Sequence, residues 1–232
     1  MFNLLKVEGY KLKKFQLGYL AIFFMAVVGY IYGDSRIGNR VFKMPDNTAD
    51  AFSHVVSDNS FVFIIAIVAA VFMGKDFSSR TICNEIKLGH SRFHILLSRT
   101  VMVCMFAVLL HAIYITFAIV GFSAVKGFDT SVFCGENALW LLTVLLQLVA
   151  IICGVVLISF LAKKVSEATV LSALYSVICC NILRNFISPT ACFYFVEDNT
   201  PENIGSAIVS AFLTMTLFLA IAAVNFNKAE VK

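Results

Sequence analysis

The chain has 232 residues and a formal net charge of +4, with 60% apolar and only 14% charged side chains; its mean hydropathy is +0.89. Soluble domains carry roughly 25% charged residues, so the composition excludes an ordinary soluble enzyme and indicates an all-α integral membrane protein. The positive charge is spread between apolar runs rather than gathered on one face, which argues against a nucleic-acid partner and for membrane topology.

Residues 1–15, MFNLLKVEGYKLKKF, form an amphipathic pattern at 100° per residue. Phe2, Leu4, Leu5, Gly9, Leu12 and Phe15 fill one arc, with Glu8 as the one acid among them. Lys6, Lys11, Lys13 and Lys14 lie on the other arc. The reading is an interfacial helix in the headgroup plane, its lysines toward anionic lipid. Six spans follow, at about 16–33, 58–74, 96–124, 138–162, 166–186 and 205–226. The first is too long for a signal-peptide core and lacks a small-residue cleavage site. The whole of 1–232 reads as one transmembrane domain.

Thirteen Lys and Arg fall on the side of the N-terminus, the 74–99 segment, the 163–164 turn and the C-terminus, against five on the other. That bias puts both termini in the cytoplasm of what is expected to be a bacterial cell membrane. The seven cysteines include no C-x-x-C pair, so zinc or redox motifs are not indicated. Cys134 and Cys192 are the two that this topology places outside the membrane.

The loop at 75–95 is more patterned than a tether. A wheel of 77–88 groups Ser79, Ile82, Cys83 and Ile86 on one arc, with Arg80, Asn84 and Lys87 beside it and Thr81 and Glu85 beyond. Gly89 fits a left-handed helix end, and Ser91 fits an N-cap for the next helix. The expected form is a short helix, a sharp turn and a long helix entering the third span. Its apolar arc is expected to be offered to a partner.

This loop resembles the segment after the second span in ABC-2 type transporter permeases. Asp76, Phe77, Thr81, Gly89, Ser91, Arg92 and Arg99 match that pattern, while Arg80 stands where the family usually has Gly. The N-terminal Glu8, Lys11, Leu12, Lys13 and Lys14 resemble the same family's start. The resemblance implies a dimer of six-helix halves, formed with a second identical or related permease copy. Each half would bind an ABC ATPase subunit through a coupling helix. Here that helix would use Phe77, Arg80, Thr81, Ile82, Glu85, Ile86 and Lys87, with Ile82 and Ile86 buried in the ATPase groove. A re-entrant hairpin is implied over 184–204.

No cofactor is expected on this chain. Gly74-Lys75 is the only Gly-Lys pair, and Ala69 stands where a phosphate loop needs its first glycine. ATP and Mg would be held by the partner ATPase. His90 and His94 lie at i, i+4, but Ser91 and Arg92 follow His90 where a metalloprotease needs Glu, so no metal is expected. Polar residues at membrane depth are His111, Gln147 and Asn181, read either as functional or as interhelical hydrogen-bonders. Tyr19, Phe23 and Asn181 are candidates for a translocation path, and the aromatic lining favours an amphipathic or apolar cargo such as a peptide. Export of drugs or lipid-linked material is the alternative within that class. A membrane enzyme or a non-transporting membrane scaffold is the alternative outside it.

Overall fold

The computed structural model describes residues 2–34, 48–79, 81–127, 135–182, 195–196 and 201–228. Among the described residues every regular element is helical. The helices are α1 (Phe2–Lys13), α2 (Gln16–Gly33), α3 (Thr48–Val56), α4 (Val62–Ser78), α5 (Thr81–Lys87), α6 (Arg92–Lys126), α7 (Gly135–Ala162), α8 (Val165–Val177) and α9 (Pro201–Lys228). A π-helical turn, Ile178–Ile182, continues α8.

Four helices, α2, α6, α7 and α9, are each long and apolar enough to cross a membrane. Together α4 and α5 would make a fifth, bent by 57° at their junction. The shorter apolar helix α8 has 13 residues before its π turn. The chain is thus a helical protein with membrane-spanning character. The 35-residue α6 is its axis, packing against α1, α2, α3, α4, α5, α7 and α9. Two further layers, α4 on α8 and α7 on α9, complete the bundle. Both α2 and α9 keep wide apolar faces on the outside, including Tyr19, Phe23 and Phe24 on α2 and Phe212, Leu213 and Leu217 on α9.

Three features go beyond the sequence pattern. The helix that overlaps the expected second span, 58–74, runs Val62–Ser78. Four C-terminal residues with two charges stay helical because Asp76 and Phe77 find partners inside the protein, described below. A helix not expected, α3, buries Ala51, Phe52, Val55 and Val56 in the loop after α2. Finally, the apolar arc of α1 packs on the protein: Leu4, Glu8 and Phe15 are buried, and Gly9 comes close to Met102 of α6.

At the end of the bundle away from α1, polar side chains hold backbone. Phe195 N–H donates to Asn59 Oδ1 (3.1 Å), and Val196 N–H donates to Gln147 Oε1 (3.1 Å). The Trp140 indole donates to Val196 O (3.0 Å). Residues 195 and 196 are therefore clamped in the core within the stretch where a hairpin was expected. Residues 183–194 and 197–200 lie outside the described residues, as do Cys134 and Cys192. His111 is buried against Tyr114 and Phe195. Gln147 accordingly bonds the non-helical backbone at Val196 rather than a neighbouring helix.

Candidate functional site

Among the described residues, the opposite end holds a cluster of five charges drawn from four helices. Glu8 and Lys11 come from α1, Asp76 from the last turn of α4, Glu85 from α5 and Arg99 from α6. Arg99 is fully buried. Its Nε donates to Asp76 Oδ2 (2.8 Å) and its Nη2 to Glu85 Oε2 (2.9 Å), with Glu8 Oε1 at 3.6 Å from Nε. Lys11 Nζ donates to Glu8 Oε1 (2.6 Å), to Asp76 Oδ1 (3.1 Å) and, at the limit of such a bond, to Glu85 Oε1 (3.5 Å). Each carboxylate is thus shared between the two cations. A guanidinium suits this role because its planar fork presents several donors at fixed angles.

Local sequence explains how α5 reaches the cluster. Gly89 has φ of 86°, the left-handed region that favours glycine. It closes α5 with Gly89 N–H on Ile86 O (3.0 Å) and His90 N–H on Glu85 O (3.2 Å), the paired bonds of a Schellman end. Ser91 then caps α6, accepting from His94 N–H. The tight corner lays α5 back against the start of α6, so that Glu85 and Arg99 meet.

A second tie runs beside the first. Phe77 stacks edge-on with Phe160 of α7 (5.1 Å), and Phe160 does so with Phe226 of α9 (4.9 Å). Arg92 lies over the Phe226 ring (5.8 Å) and donates to the carbonyls of Phe226 and Asn227 (2.7 and 2.9 Å), capping the end of α9. These contacts fasten the α4–α5–α6 corner to α7 and α9.

The orientation of α5 is opposite to the expected one. Ile82 is 1% exposed and Glu85 is buried, so these side chains face the bundle rather than a partner. Ile86 is half-buried against the same core, and Thr81 Oγ1 lies 2.7 Å from Ser79 Oγ. The outward edge of the corner consists of Asn84, Lys87, Leu88 and, from α6, Phe93, with Leu88 77% and Phe93 55% exposed. Arg80 lies outside the described residues. Of the lysines expected on the lipid side of α1, Lys6, Lys13 and Lys14 are exposed, whereas Lys11 turns inward to the cluster. Tyr19 and Phe23 point outward from α2. Asn181 lies in the π turn, its side chain outside the described residues. The signal for the cluster was present in the sequence as Glu8, the lone acid on an apolar arc.

Among the described residues three carboxylates face two cations, one surplus negative charge when all are ionised. Burial raises the pKa of Glu8 above the usual carboxylate range, and Asp76 nearby adds to the shift, while Arg99 and Lys11 oppose it. Folded protein therefore holds the Glu8 proton to higher pH than unfolded protein does. The Glu8 contribution to stability is then greatest below the ordinary glutamate range and falls as pH rises through the raised value. Glu8→Gln should flatten that fall, checked by thermal melts in detergent across mildly acidic to neutral pH. Identical pH slopes for the two proteins would contradict this assignment.

Among the described residues, no group of three or more His, Cys, Asp and Glu side chains is arranged to hold a metal ion. All three carboxylates of the cluster are engaged by cations, which suits a mechanical fastening better than acid–base work. No family model, curated protein or solved structure matches this chain.

Proposed function

We propose that this chain is the membrane permease subunit of an ATP-driven exporter of the ABC-2 type. The observation that carries the reading is a convergence. Glu8, Lys11, Asp76 and Arg99, four of the residues in the two segments that resemble that family, come from three helices and meet in one buried ion cluster. A cluster of that kind makes α5 one rigid unit with the ends of α4 and α6, and a force applied to α5 reaches both helices. The outward edge at Lys87, Leu88 and Phe93 is where a separate ATPase would press.

In this reading α2, α4, α6, α7, α8 and α9 make six crossings of a bacterial cell membrane, and both termini are cytoplasmic, following the bias of Lys and Arg. ATP and Mg belong to the partner. A second permease copy faces the wide apolar side of α2, where Tyr19 and Phe23 line the path of an amphipathic cargo, a peptide being the best fit. The test is affinity purification of the full chain from its native membrane in mild detergent. A P-loop ATPase should co-purify and should be lost when Leu88→Asp and Phe93→Asp are combined, with the membrane chain still monodisperse. Absence of any P-loop ATPase from the wild-type preparation, or ATP hydrolysis by the isolated chain, would overturn the proposal.

A further inference from the structure

Beside the ion cluster, a cavity of about 300 Å³ opens between the end of α1 and the last turn of α4. Its charged walls are Lys14 and Lys75, with Lys11 and Asp76 at the back. Lys11 and Asp76 are committed to the cluster, where both Asp76 oxygens already accept from cations. Lys14 and Lys75 are different. Lys14 Nζ sits 4.7 Å from the centre of the Tyr10 ring and Lys75 Nζ 4.9 Å from that of Phe15. Among the described residues no carboxylate pairs with either. Ser79 and Thr81 place two hydroxyls, 2.7 Å apart, on the same wall. Two ammonium groups and two hydroxyls around one hollow are the donors that a phosphate oxyanion requires.

The remainder of the wall is aromatic: Tyr10, Phe15 and Phe72. The hollow lies at the start of α2, whose outward face continues with Tyr19, Leu20 and Phe23. A ligand seated here meets both the cations and the aromatic rings of the wall. We propose that this cavity binds the phosphate headgroup of one anionic phospholipid of the surrounding bilayer. The site is saturable and structural, unlike the diffuse attraction of a basic surface to a charged membrane. It depends only on α1 lying at the membrane interface and not on the chain being an exporter, so it stands or falls separately from the ATPase partnership.

The test titrates the detergent-purified full chain with short-chain phosphatidylglycerol, with phosphatidylcholine and inorganic phosphate as comparisons. Phosphatidylglycerol should bind saturably, and Lys14→Ala combined with Lys75→Ala should weaken it about tenfold or more. Lys13→Ala combined with Lys228→Ala removes the same charge elsewhere and should change affinity less than about twofold. Thermal melts confirm that both variants remain folded; should the alanine pair melt early, Lys14→Gln with Lys75→Gln replaces it. Equal losses from the two pairs would reduce the effect to surface attraction and overturn the site. Displacement of the lipid by inorganic phosphate with the same lysine dependence would assign the pocket to a soluble anion and overturn the lipid assignment. Equal affinity for phosphatidylcholine would do the same.

Discussion

Arg99→Met should destabilise the folded chain by about 3–5 kcal/mol, the cost of removing one partner from a buried ion cluster. The guanidinium is fully buried and supplies the shortest bonds to Asp76 and Glu85. Without it, Lys11 is the cation left to the three carboxylates among the described residues, and it is bound to Glu85 only at 3.5 Å. Methionine preserves much of the volume, so the loss measures charge and hydrogen bonding more than a cavity. Arg99→Lys should recover part of the stability, because one ammonium cannot reproduce the fork that spans two carboxylates. Lys11→Met should cost less, since its side chain is 23% exposed and its pairing is partly screened by solvent. Thermal unfolding in detergent, read beside size-exclusion profiles, checks the order. An Arg99→Met protein as stable as wild type would remove the cluster from this account.

Gly121→Val is expected to be the other severe change. Helices α2 and α6 approach each other through glycine, and a side chain has nowhere to go. A Cβ on Gly121 would strike the Tyr30 carbonyl, and one on Gly33 would strike the Ala118 carbonyl. Both obstacles are backbone, so relief requires moving a helix rather than a rotamer. Overpacking of this sort costs about 1–3 kcal/mol and sometimes more. In lipid it also removes the close contact on which helix association depends. Gly205 of α9 is the contrast, because a Cβ there would meet nothing within 4 Å. Gly205→Ala should be neutral or stabilising, by up to about 1 kcal/mol from helix propensity. Comparable losses at Gly121 and Gly205 would show that the α2–α6 contact is looser than described.

The helices were legible because each apolar run is long and the stops are strong. Gly89 and Ser91 mark the α5–α6 corner in the sequence, and both perform there as expected. What composition could not supply is the partner of each face. A wheel shows that Ile82 lies on an apolar arc, but the same arc serves a docking groove or the protein's own core. Here the core takes it. The same ambiguity misplaced the end of α4: Lys75 and Asp76 look like the edge of a loop until Arg99, 23 residues beyond Asp76, is brought alongside. Lys11 read as a lipid-facing lysine for the same reason. Helix α3 is not legible in the sequence because nine residues give too few turns for periodicity to stand out.

The corner formed by α5 and the start of α6 is the centre of the functional account, and cross-linking tests it most directly. A cysteine placed at Leu88, which is 77% exposed, should cross-link to the ATPase in native membranes. A cysteine at Tyr19, on the outward face of α2, should not. The account predicts a Leu88 product whose yield changes when ATP is supplied. An intact membrane chain that gives no ATPase product from Leu88, or equal product from Tyr19, would contradict it.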